Sequence, residues 1–278
     1  MKWSAKLEEK VFIGLLWASA ILAILVLFSI VGHILINGIA GLSWEFITAE
    51  PSRMGKEGGI LSIIIGTLYL TVASLIVATP IGVGSAIFLT EYAKKGRVVR
   101  VIRFATESLA AVPSIIFGLF GFVLFVITLG MGWSIISGAL TIAFMILPTI
   151  IRAAEESIKM VPDSYREGSL ALGASKWYTI RKVVLPSALP GIATGIILGI
   201  GRSIGETAAV ILTAGSSLGL PTSVFDPTRT LSVHLYILAS EGISMEKAYA
   251  TATVLIILII SINFVANWLM AKLVGRVA

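Results

Sequence analysis

The sequence predicts an all-α integral membrane protein of six transmembrane helices, and three observations carry that prediction. First, 57% of its 278 residues are hydrophobic and only 13% are charged, about half the charged share of a typical soluble domain, near 25%. Second, six runs free or nearly free of charge, at 11–36, 59–90, 108–129, 133–151, 187–214 and 248–271, each approach or exceed the roughly 20 apolar residues that cross a bilayer. Third, no ten-residue alternation of the kind a β-barrel needs is present. The chain reads as a single transmembrane domain, 1–278.

The runs can be justified in order. Residues 11–36 are too long, and lack the small-residue cleavage pattern, for a removable signal peptide, so they read as a retained first helix. Residues 59–90 and 108–129 carry Pro80 and Pro113, and 133–151 carries Pro148, each a candidate kink in a moving helix or in a static one. The third and fourth runs form one uncharged stretch of 44 residues, divided at Gly130-Met131-Gly132. In the fifth run, Gly191, Gly195 and Gly199 repeat every four residues, the close-packing pattern of membrane helices.

Orientation follows from the basic residues. Three Lys precede the first run, five Lys and Arg lie in 91–107, six in 152–182 and two in the carboxyl tail, against Arg53, Lys56, Arg229 and Lys247 on the other side. By the positive-inside rule both termini and both basic loops face the cytoplasm. The net charge of +6 is thus explained by topology and attraction to anionic lipid, with no nucleic-acid partner implied. There are no cysteines, which excludes disulfides and thiolate chemistry. His33 and His234 have no third ligand near them in sequence, so no metal site is expected.

Two features point to function. Arg202 and Glu206 are the only charges between Pro186 and Pro221, and an intramembrane charge costs about 2.5–3.5 kcal/mol on permissive scales, so it needs a partner or a purpose. At a spacing of four they would share one helical face with Gly195, Gly199, Ala209 and Thr213 and could pair with each other. That face is either a buried site on a solute path or an ion pair that locks helices together. The second feature is the loop 152–186, about 35 residues with helix punctuation. Ser164 and Glu167 fit a capping box, Gly173 suits a helix end, and Leu170, Ala171 and Leu172 give a short helix an apolar side. Such a helix would be either an interfacial anchor or a knob presented to a soluble partner.

At these residues the chain resembles the permease subunits of ATP-binding-cassette importers. Their cytoplasmic loop carries Glu-Ala-Ala, then Gly, then an aliphatic residue and Leu-Pro. Glu167-Gly168-Ser169, Gly173, Val183 and Leu185-Pro186 stand at the matching positions with every spacing kept. The resemblance implies a MetI-like bundle in which Glu167, Gly168, Ser169, Gly173, Leu185 and Pro186 form a coupling helix and its anchor, seated in a partner ATPase. Gly201-Arg202-Ser203-Ile204-Gly205-Glu206-Thr207-Ala208 resembles the fifth-helix motif of the phosphate-specific transport system. Leu231 to Tyr236, Asn263 and the modest length look more like its A-type than its C-type permeases. The resemblance implies a prokaryotic plasma membrane, a C-type permease partner, an ATPase dimer that holds ATP and Mg, and an extracytoplasmic phosphate-binding protein. It also implies Arg152, at the cytoplasmic end of the fourth run, as a transport arginine, although that place equally suits an ordinary flanking residue.

The substrate class has support from physical chemistry. An arginine fork matches an oxyanion bidentately. The proton that phosphate keeps near neutral pH can be donated to the Glu206 carboxylate, whereas sulfate has none and would leave that carboxylate mispaired. Molybdate, tungstate and sulfate remain alternatives. The chain has no G-x-x-x-x-G-K-[ST] loop and so no ATPase of its own. A proton-driven carrier with Glu206 as the proton site would show internal repeats, and an intramembrane enzyme would show a clustered nucleophile and base. The sequence shows neither.

Overall fold

The computed structural model describes residues 5–94 and 96–274. The extreme termini and Lys95, which contribute to the orientation count, lie outside the described residues. The chain opens with α1 (Ala5–Ile39) and a short α2 (Trp44–Thr48), capped by the Ser43 hydroxyl accepting from Phe46 N. A two-stranded hairpin follows, β1 (Pro51–Ser52) and β2 (Glu57–Gly58). Next come α3 (Leu61–Ile87), continued by a π-helical turn to Tyr92, and α4 (Arg97–Ala110). α5 (Ser114–Gly121) is likewise continued to Thr128, and α6 covers Ile135–Met160. α7 (Asp163–Ala171) and α8 (Lys176–Thr179) lead through a π-helical turn into α9 (Leu185–Gly205). The chain closes with α10 (Ala208–Thr213), α11 (Leu231–Ser240) and α12 (Met245–Val274).

Among the described residues, five helical segments are long and apolar enough to span, and a sixth if the bent pair α4–α5 counts as one. The expected boundaries shift where backbone chemistry decides. The third run does not begin at Ser108. The helix axis turns by 101° between α4 and α5, because Pro113 donates no N–H and pushes Val112 out of the helical region. The loop expected at 152–186 shrinks to 161–175, since Arg152 to Met160 extend α6 and Lys176 to Val184 run into α9. Pro186, in the first turn of α9, clashes with a carbonyl one turn back and widens that turn into the π-helical Ile180–Val184 segment.

α6 is the central post, packed between α3 and α9. Its Ile142, Ile146 and Ile150 are fully buried together with Leu70 and Ala78 of α3. Gly191 and Gly195 let α9 approach it closely: a Cβ on Gly191 would lie 1.7 Å from Ser157 Oγ, and one on Gly195 would lie 2.4 Å from Ala153 Cβ. The four-residue glycine repeat therefore serves packing. Gly191→Val is expected to cost about 1–3 kcal/mol through overpacking, read as a lower melting temperature of the detergent-solubilised protein. α1 and α12 pair at the periphery, with His33 Nε2 3.3 Å from Tyr249 Oη, and their outer surfaces are apolar and exposed.

The end of the bundle opposite α7 is buttressed by Arg229, only 5% exposed. Its Nε donates to Ser216 O at 2.9 Å, and Nη1 lies 3.4 Å from His234 Nδ1. His234 is buried in α11 beneath the hairpin, where the left-handed Gly55 (φ +94) leaves no room for a Cβ. Burial first, and the Arg229 charge second, push the imidazole pKa down to about 3, so the ring stays neutral and serves packing.

Candidate functional site

The Arg202–Glu206 segment is not a continuous helix. α9 ends at Gly205, and Glu206 takes extended angles (φ −75°, ψ 131°) before α10 restarts at Ala208. Gly201, Ser203, Gly205 and Thr207 crowd this stretch with poor helix formers, and the freed backbone groups find new partners, as irregular backbone at membrane depth requires. Glu206 Oε1 accepts from Ala209 N at 3.1 Å, and the Glu206 carbonyl accepts from Ser232 Oγ at 2.6 Å. Behind the break a buried hydroxyl cluster joins α9 to α3, with Ser203 Oγ 3.3 Å from Ser74 Oγ and 3.5 Å from Thr71 Oγ1.

This arrangement corrects the expected pairing. Arg202 and Glu206 do not lie on one helical face, and Arg202 takes no ion-pair partner among the described residues. The face with Gly195, Gly199, Ala209 and Thr213 is buried in protein contacts. What remains accessible is Gly205 with the half-exposed Arg202 and Glu206. Arg202 thus offers its guanidinium donors to a ligand, while one Glu206 oxygen is occupied by α10 and the other is left available.

Arg152 is placed elsewhere. Ala153 packs against Gly195, seven residues before Arg202, so Arg152 sits about 10 Å nearer the α7 end at 1.5 Å per residue. Its Nη2 pairs with Glu107 Oε1 of α4 at 2.7 Å. Beside it, the buried Glu155 carboxylate is 2.6 Å from Arg103 Nη2 and 2.9 Å from Lys159 Nζ. These five charged groups, together with Glu156, line a cavity of about 480 Å³. Glu155 was not singled out in the sequence, where it looked like one more loop charge.

The loop residues are distributed over two places. Glu167 and Gly168 are exposed on α7, but Ser169 turns inward, its hydroxyl 2.9 Å from Thr179 Oγ1. Gly173 (φ +84) closes the helix in the left-handed conformation, with Gly173 N donating to Leu170 O and Ala174 N to Ser169 O, and so presents Leu172 at 91% exposure. Leu185 and Pro186 open α9, and Leu185 packs against the core beside Val184 and Ala188. The capping box is absent: the helix starts at Asp163 after Pro162, with no side-chain cap.

Residues 78–278 match the family described as "Binding-protein-dependent transport system inner membrane component". The chain belongs to this family. The permease is 35% identical over 280 residues to the probable ABC transporter permease protein YqgI of Bacillus subtilis, with 95% of each chain covered. It is 31% identical over 262 residues to the phosphate transport system permease protein PstA of Haemophilus influenzae, covering 93% of this chain and 92% of that one. Among solved structures it is similar in fold, at 16% identity and a TM-score of 0.69, to a chain of a bacterial alginate ABC transporter in complex with a pentasaccharide-bound periplasmic protein, with 99% and 97% of the two chains covered. The permease is therefore a multi-pass membrane transport subunit with the importer bundle expected from its sequence.

Proposed function

We propose that this permease forms the anion path of an ATP-driven inorganic phosphate importer. The observation that carries the reading is Arg202, without an ion-pair partner among the described residues, beside the α9–α10 break, with a Glu206 oxygen open to receive a phosphate proton. Relatives such as the Haemophilus influenzae permease bear phosphate transport in their names, and the oxyanion chemistry of an arginine fork agrees with them. A C-type permease would complete the path. An ATPase dimer holding ATP and Mg would dock at the exposed face of α7 around Glu167, Gly168 and Leu172. An extracytoplasmic phosphate-binding protein would deliver the ion at the opposite end, both termini being cytoplasmic in a prokaryotic plasma membrane. Arg152 would meet the ion on its way out, drawing on the charged cavity between α4 and α6.

The test is uptake of labelled phosphate, sulfate and molybdate after reconstitution with these partners. Uptake that requires ATP hydrolysis and favours phosphate is expected, while preference for another oxyanion would reassign the substrate. Broken helices also occur in ion-coupled carriers. Uptake that persists without the ATPase and follows a proton gradient would favour that reading.

A further inference from the structure

α7 poses a mechanical problem. None of its nine residues is fully buried, so a push on this helix must reach the bundle through a few polar contacts, the Ser169 hydroxyl on Thr179 and the side chain of Arg166. We propose that Arg166 is the positioning residue that keys α7 to the ends of both α3 and α6, making the three elements move as one. The proposal rests on the reading of α7 as the ATPase-docking helix.

The guanidinium of Arg166 is held on every side. Nε and Nη2 donate to Glu91 Oε1 at 3.0 and 2.9 Å, and Glu91 lies in the last turn of the α3 segment. Nη2 also donates to Ile158 O at 2.9 Å and Nη1 to Val161 O at 2.7 Å, both carbonyls at the end of α6. Nη1 reaches Asp163 Oδ1 of α7 itself at 3.2 Å. The Arg166 and Glu91 side chains are only 18% and 9% exposed, so these bonds are shielded from the competition with water that makes surface pairs weak. From the other flank, Lys176 Nζ donates to the Glu91 carbonyl and lies 4.8 Å from the centre of the Tyr92 ring. The end of α3 is thus gripped on both sides of the loop.

The chemistry requires arginine. A planar fork with five donors can meet a carboxylate and two helix-end carbonyls in fixed directions, whereas a lysine ammonium is a point charge on a flexible stem. Arg166→Lys would keep the charge and lose the geometry. The α7 surface would still dock, but its displacement would be absorbed by a loosened joint before it reached α3 and α6.

The experiment uses the reconstituted transporter with its ATPase, second permease and binding protein, and three readouts. A crosslinker at the exposed Leu172 reports docking, ATP turnover reports the ATPase, and labelled phosphate uptake divided by turnover reports coupling. For Arg166→Lys we expect unchanged capture and turnover near that of the unaltered protein, with uptake per ATP reduced about 10- to 100-fold, the scale of a misplaced element far from the chemistry. An unchanged ratio overturns the keying role. Glu91→Gln, which keeps the shape and one acceptor oxygen, carries the same test if Arg166→Lys fails to assemble. A lowered ratio supports the proposal there too, and an unaltered one overturns it. No capture from Leu172 in the unaltered protein would overturn the docking reading itself, a failure distinct from a coupled but unkeyed loop.

Discussion

Arg202→Ala is expected to lower uptake by about 10²-fold or more while leaving the permease as abundant as before. The first half follows from the loss of charge-assisted hydrogen bonds, worth about 1.5–3 kcal/mol each, to an anion that passes a low-dielectric stretch. The second half follows from the break at Glu206. In a continuous helix the arginine would be paired, and its removal would strand a buried carboxylate at a cost of about 3–5 kcal/mol. Here Glu206 is occupied with Ala209 N, and Arg202 has no ion-pair partner among the described residues to orphan. Removing it deletes an uncompensated charge. Uptake in proteoliposomes, set against membrane abundance by immunoblot, checks both halves. Equal loss of uptake and abundance would return Arg202 to a structural role.

The same geometry separates two substitutions at Glu206. Glu206→Gln keeps an oxygen for Ala209 N but can donate to an unprotonated oxyanion, so discrimination between phosphate and sulfate at the permease should fall. Glu206→Ala leaves an N–H of α10 unsatisfied, at about 1–3 kcal/mol, and should lower abundance as well. Competition uptake with the binding protein held constant reads the first effect. Preserved preference in Glu206→Gln would leave selection to the binding protein.

The sequence made the membrane class, the five or six spans and the helical loop between α6 and α9 legible, because each rests on composition or on motif spacing. Charge-free runs mark spans whatever their neighbours do, and Gly173 announces a helix end because few other residues accept a left-handed φ. It did not reveal the helix break at Glu206. A spacing of four between Arg and Glu is the signature of a continuous helix, and only the hydroxyl of Ser232, 26 residues on, shows that the Glu206 carbonyl has another partner. Pro113 was visible as a kink but not as the 101° corner that turns α4 away from α5. Arg166 and Glu91 are 75 residues apart and each looks like an ordinary loop charge until the fold brings them together. The inward turn of Ser169 was hidden for the same reason, its Thr179 partner lying beyond the helix.

At Gly173 a graded series should distinguish backbone strain from surface contact. A Cβ there would meet nothing within 4 Å, so within this chain the cost of a side chain is conformational alone. Holding an L-residue at φ +84 costs about 1–2 kcal/mol, more for a β-branched one and less for Asn. That penalty weakens the bonds from Gly173 N and Ala174 N which close α7 and present Leu172. Gly173→Asn is therefore expected to retain most uptake, Gly173→Ala to lose it severalfold, and Gly173→Val to lose it about tenfold or more, as the population of closed loop falls by that factor. ATPase capture from Leu172 should decline in the same order while insertion into the membrane is unchanged. If Asn proves as damaging as Val, the ATPase touches the glycine itself and any side chain is excluded by contact. If Val transports normally, the end of α7 plays no part in coupling.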